Sequence, residues 1–208
     1  MNIHIRRCIL IAAALCCACA APAQSSEEAL LAVLKSDAPQ QKKTDACIEL
    51  GRVGTKASVA PLAALLGDET YSHMARYALE NIPDPAAAEA LRAALGQLKG
   101  RLLAGAVQSL GMLRDAASAE PLAKLLGAPD AEVAAAAAVA LGRIGSPVSE
   151  AALQAALGRV PAAAEGLLLC ARSAPPERAA ALYDAVLAAP IFSRVSPPPA
   201  SQRFSVSS

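Results

Sequence analysis

Apolar positions along the chain follow two interleaved patterns with one shared period. Ala106-Val-Gln-Ser-Leu110-Gly111-Met-Leu113 returns as Ala137-Ala-Val-Ala-Leu141-Gly142-Arg-Ile144, which gives Leu110 and Leu141 a spacing of 31. Between them, Pro121-Leu122-Ala-Lys-Leu125-Leu126-Gly127 is echoed by Ala152-Leu153-Gln-Ala-Ala156-Leu157-Gly158, and Leu122 and Leu153 show the same spacing. Apolar side chains fall at i, i+3/i+4 and i+7, as at Val133, Ala137, Leu141 and Ile144, the pattern of one helix face. Two helical motifs sharing a period predict a two-helix unit copied in tandem.

The same grid extends in both directions. Ser26 to Leu34 predicts a first helix, with Ser26 as N-cap, Glu27 and Glu28 in the first turn, and Leu31 one full period before Leu62. Beyond Pro39, a second helix is expected over 40–53, stopped by Gly54 in a left-handed conformation. Helices over 57–66 and 71–82 form the next unit. Leu91 opens a third, where the spacing from Leu62 shortens to 29. The fourth and fifth units carry the motifs quoted above, followed by a helix over 160–172. A sixth first helix is expected over 177–188, where Leu182 follows Leu153 at the same shortened spacing. Pro61 and Pro121 are expected in the first turns of their helices, where proline is tolerated. The Ala heading each second-helix motif and the Gly after its Leu are expected to let helices approach closely. No unit buries its apolar face alone, so stability is expected to come from stacking.

These residues resemble the short HEAT-like repeats, a kind also found in phycobilisome bilin lyases. The Leu-Gly-x-(Ile/Leu)-Gly ending and the Pro/Ala-Leu-x-x-Leu-Leu helix carry the resemblance, which covers about residues 27–189. Ankyrin units would need Thr-Pro-Leu-His, and TPR units would need aromatic positions; neither pattern is present. The expected fold is all-α, an α-solenoid of five to six antiparallel helix pairs. The resemblance also implies a bilin-lyase-like accessory activity as one alternative. Another is a remnant of a longer repeat protein, because Pro190 and a polar tail stand where the sixth unit needs its second helix.

Composition adds the kind of core and the compartment. Among 208 residues, 55% are hydrophobic but only 2% aromatic, so the core must be built from Ala and Leu, both strong helix formers. A net charge of +1 gives no electrostatic reason to expect nucleic acid. Residues 1–23 read as a signal peptide: Arg6 and Arg7, an apolar run from Cys8 to Ala20, then Ala21-Pro22-Ala23 as a small-x-small cleavage site. Export to the periplasm or outside the cell follows, with no membrane span left after cleavage. Losing Arg6 and Arg7 from 19 basic groups against 18 acidic ones leaves the mature chain close to neutral. A lipid-attachment pattern at Cys19 is incomplete, since Cys16 stands where Leu is wanted. The division is therefore leader 1–23, solenoid 24–189 and a disordered Pro/Ser-rich tail 190–208. Of the six cysteines only Cys47 and Cys170 lie beyond the leader. They are four repeats apart, too far for the roughly 7 Å Cα separation of a disulfide, and are expected on inward helix faces.

Catalytic chemistry has little to stand on. His73 is without a neighbouring carboxylate in sequence, and no set of metal ligands, cofactor loop or nucleophile turn is legible, so no enzyme, metal or cofactor is expected. The Leu-Gly-Arg-x-Gly segments at 50–54 and 141–145 follow helices rather than strands and punctuate the repeat. Asp68, Glu69 and Asp130 are expected to cap helices. Second helices of solenoids commonly line the concave binding face, which nominates Arg52, Arg76, Tyr77, Arg101, Gln108, Arg114 and Arg143. Arginine offers a rigid fork for carboxylates, and tyrosine is a frequent anchor. The expected function is a non-catalytic scaffold for a protein or peptide partner.

Overall fold

The computed structural model describes residues 21–189, and of residues 21–25 the backbone alone. All but the last three residues of the expected leader, and the whole of the expected tail, lie outside the described residues. Among the described residues the helices are α1 (Ala21–Lys35), α2 (Gln40–Val53), α3 (Lys56–Ala63), α4 (Ser72–Asn81), α5 (Pro85–Ala94) and α6 (Gly100–Met112). A 3-10 turn, Ala116–Ser118, then leads into α7 (Ala119–Leu125), followed by α8 (Ala131–Ile144), α9 (Pro147–Ala156), α10 (Ala162–Ser173) and α11 (Pro176–Leu187). No strand occurs among them. No helix there is long and apolar enough to cross a membrane. The fold is an all-α solenoid of helix pairs, in two compact units that divide between Ser109 and Leu110.

Each unit has two layers. In the first unit α3 packs on α1 and α5, while α2 packs on α1 and α4. In the second, α8 packs on α7, α9 and α10, and α10 packs on α9 and α11. The leucines of the grid supply the core of both. Leu50, Leu62, Leu79 and Leu91 in the first unit, and Leu110, Leu122, Leu141 and Leu153 in the second, are completely buried. Each such side chain is worth about 1.5–3 kcal/mol against exposure.

Small residues set the spacing of the second helices. A Cβ on Gly111 would lie 2.7 Å from Ala140 Cα, and one on Gly142 would lie 2.5 Å from the Gly166 carbonyl oxygen. Gly166 itself takes the place that Ala137 holds one repeat earlier, and its own Cβ would meet the Ala138 carbonyl oxygen at 2.5 Å. Backbones of α8 and α10 therefore touch, as the small residues of the motif lead one to expect.

Several local expectations need correction. Helix α1 already runs through Ser26, so Ser26 lies inside it rather than at its N-cap, and Glu27 is not in a first turn. Glu27 is instead buried beneath the start of α3, because it lies one full period before Ser58 on the grid. Gly54 does stop α2, but in an extended conformation, φ −66° and ψ 144°. There a Cβ would collide with the Leu50 carbonyl oxygen at 2.2 Å. The left-handed stop belongs to Gly145, at φ 64°. Pro61 sits inside α3 rather than in its first turn. It lacks the N–H that would bond one turn back, and α3 ends two residues later in tight turns at Leu65 and Leu66. Pro121 does fall in the first turn of α7.

The caps follow the grid more closely than the local sequence suggests. Asp130 caps α8, accepting from the Glu132 N–H at 2.9 Å, as expected. Asp68 accepts from the Thr70 N–H at 2.7 Å just ahead of α4, whereas Glu69 faces Arg101 at 3.9 Å and caps nothing. Three of the first helices, α3, α5 and α9, are capped by Thr55, Asp84 and Ser146, which accept from the N–H groups of Ala57, Ala86 and Ser149, whereas α7 and α11 have no side-chain cap.

Glu27 ties α1 to that cap ladder. Its carboxylate accepts from the Thr55 N–H at 2.8 Å, from Thr55 Oγ1 at 3.1 Å and from Ser58 Oγ. Burial pushes the carboxyl pKa up, but these hydrogen bonds outweigh it and hold the pKa below the ordinary 4.5. The folded state thus prefers the ionised form, so this stability is present above about pH 4.5 and lost as pH falls through the lower folded value. Urea midpoints of the parent chain are expected to drop on acidification, and Glu27→Gln should flatten that drop. Equal acid-side slopes for the two would refute the assignment.

Cys47 and Cys170 are buried and free. Burial pushes both thiols up to about 11, with Glu150 adding to the shift at Cys170 and Arg178 opposing it. Peptide mapping after iodoacetamide treatment near neutral pH should find both unmodified in the native chain and both modified in urea. Native-state alkylation of either would show that its helix opens readily.

Candidate functional site

Three second helices of the grid end around one cavity in the second unit. Gly111 and Met112 come from the last turn of α6, Gly142 and Arg143 from that of α8, and Leu169, Arg172 and Ser173 from that of α10, with Arg114 closing the rim. The cavity measures about 450 Å³. Its lining is cationic and apolar, without a carboxylate.

Local structure positions each arginine. Arg114 lies two residues beyond α6 with φ 50°, the sole non-glycine with positive φ among the described residues. Its N–H bonds to the Gly111 carbonyl, and the next N–H, of Asp115, reaches back to the Leu110 carbonyl. This pair of bonds is the Schellman closure, which normally places glycine at the left-handed residue. Gly145 holds the same grid position one repeat later, at φ 64°. Left-handed geometry costs a side-chain-bearing residue roughly 1–2 kcal/mol. Arg143 stands one residue before the end of α8 and directs Nη1 to Met112 Sδ at 3.1 Å. Thioether sulfur is a weak acceptor. Arg172 is exposed in the last turn of α10.

Of the seven residues nominated from sequence, the fold brings Arg114 and Arg143 together in this cavity. The other five belong to the first unit. Arg52 is exposed and paired with Glu49 at 3.2 Å. Arg76 is half-buried and donates from Nη1 to the Gly105 carbonyl at 3.0 Å and to Ser109 Oγ at 3.3 Å, which joins α4 to α6. Gly105 leaves room for it, since a Cβ there would meet the guanidinium carbon at 2.6 Å. Burial lowers the pKa of Arg76, with Glu80 opposing. Tyr77 is 42% exposed on α4. Arg101 and Gln108 are exposed on α6. His73 is exposed, with Nδ1 3.4 Å from Arg76 Nη2. No group of three or more His, Cys, Asp or Glu that could hold a metal occurs among the described residues.

Arg172 is the one cavity arginine that the sequence motif does not nominate. It follows Cys170 by two positions, as Arg143 follows Leu141 and Arg52 follows Leu50, and it stands one shortened repeat after Arg143. Cys170 and Ala171 replace the Leu-Gly pair there, which hides the motif. The shortened step between Leu153 and Leu182 is the signal that places Arg172 on the grid.

These stacked pairs define a helical-repeat protein, an α-solenoid. A model of HEAT repeats matches residues 99–165, and a model of the PBS lyase HEAT-like repeat matches residues 73–97. The first match takes in Met112, Arg114 and Arg143 but stops short of Arg172. No curated protein matches the chain.

Proposed function

We propose that this chain is an exported, non-catalytic interaction scaffold that binds a segment of a protein partner at the cavity of its second unit. The observation that carries the reading is the convergence of Arg114, Arg143 and Arg172 on one cavity whose lining has no acidic residue. Arginine is the residue type best suited to desolvated polar recognition, and concave sites of this size suit a few side chains of a partner. The leader pattern of residues 1–23 supports export, and the HEAT-like repeats support a scaffold role. A bilin-lyase-like activity has only the repeat match at 73–97 in its favour, and the cavity lies outside those residues.

The test is photocrosslinking in the envelope of the native host, with a benzophenone amino acid replacing Met112, which is 57% exposed at the cavity. The expected result is a discrete adduct that disappears when Arg143→Gln and Arg172→Gln are added. Absence of any adduct, or an adduct indifferent to those two changes, would end the reading. The mass of the purified chain tests export separately: a start at Gln24 is expected, and an uncleaved N-terminus would overturn it.

A further inference from the structure

We infer that the cavity of the second unit recognises a carboxylate-bearing segment, an acidic peptide. The inference rests on the scaffold reading and gives the partner its chemistry. Five arginines lie between Leu110 and Ala189. The two outside the cavity have oxygen partners: Arg178 holds Glu150 at 2.9 Å, and Arg159 donates to the Ala155 carbonyl at 3.0 Å. The three at the cavity have no such oxygen partner among the described residues, and the one contact of Arg143 is to a sulfur. Guanidinium forks engaged elsewhere in the unit are thus left open at one place.

Arg114 points the same way. Its left-handed position would be filled without strain by glycine, as at Gly145, yet an arginine occupies it at the cavity rim. Strain of this kind clusters where a side chain serves a ligand.

The surroundings favour a carboxylate over a phosphate. Apart from Arg114, the lining residues come from the C-terminal ends of three helices, whose partial negative charge disfavours any anion and a doubly charged phosphate more than a singly charged carboxylate. Phosphate sites characteristically sit at the opposite end, cradled by free N–H groups. A single carboxylate held in a guanidinium fork needs no such cradle. Met112 and Leu169 add apolar surface for the methylenes of a glutamate.

The test is fluorescence anisotropy on the full chain with a labelled peptide alternating Glu and Ala, against the same peptide with Gln for Glu. The Glu peptide is expected to bind and the Gln peptide not to. Arg143→Gln and Arg172→Gln should each weaken binding about tenfold, the scale of a charged hydrogen bond. Arg159→Gln, which removes the same charge outside the cavity, should leave it unchanged. Arg114→Gly should weaken binding equally while its melting temperature stays the same or rises, which separates loss of ligand from loss of fold. Equal binding of the Gln peptide, or cavity variants no weaker than Arg159→Gln, would overturn the inference. So would displacement of the peptide by inorganic phosphate at lower concentration than by glutarate. An envelope crosslink sensitive to Arg143 and Arg172, together with no Glu-peptide binding, would retain the scaffold and discard the acidic chemistry.

Discussion

Gly142→Ala is expected to lower the stability of the second unit by about 2 kcal/mol, although alanine is by far the better helix former. Propensity alone favours the substitution by roughly 1 kcal/mol in a helix interior. Packing opposes it, because the new Cβ would stand 2.5 Å from the Gly166 carbonyl oxygen and 2.7 Å from Gly166 Cα. Both obstacles are backbone, so neither can turn aside as a flexible side chain would. Helices α8 and α10 must separate, which also loosens the burial of Leu141 and Cys170. Urea unfolding followed by circular dichroism should show the loss. Gly127→Ala is the control within the same unit, since its would-be Cβ meets only the Lys124 carbonyl oxygen at an ordinary 3.7 Å, and its midpoint should hold or rise. A Gly142→Ala midpoint as high as the parent's would mean that α8 and α10 do not touch as described.

Leu79→Ala is expected to cost about 3 kcal/mol in the first unit. Leu79 is fully buried on α4, the helix that packs against α2. Leu79 is among the largest fully buried side chains, so truncation to alanine opens a cavity in a close-packed core. The cost of that cavity adds to the lost transfer energy. Tyr183→Ala removes a larger side chain, but one 42% exposed, and should change the midpoint far less. If the two variants matched, the leucine grid would not be the core of the first unit.

Much of the fold is legible in the sequence because helix periodicity and a repeat period are both one-dimensional signals. Gln40–Val53 can be read residue for residue, since Pro39 and Gly54 bracket an apolar face that needs no distant partner to be seen. The two buried cysteines are readable as inward positions for the same reason. Glu27 is not. Two glutamates after a serine look like an N-terminal turn, and only the stacking of α1 against α3 turns one of them into a buried acceptor for Thr55 and Ser58. The conformation of Gly54 is equally hidden, because a helix-ending glycine can close in either hand. The choice depends on where the chain must go next.

The candidate site divides along the same line. Sequence by itself determined the all-α class, the repeat grid, the small residues that permit close helix contact and the arginines that recur two positions after the buried Leu. Tertiary structure alone decided which arginines meet. It tied Arg76 to the Gly105 carbonyl and set Arg114 and Arg143 with Arg172 around one cavity, whereas the Arg52–Glu49 pair is an i,i+3 contact within α2. A repeat period assigns every unit the same role, whereas burial and partnering depend on what the adjacent helices carry. That information resides in contacts between residues a full repeat apart, such as Arg143 with Met112, and not in any local stretch of the chain.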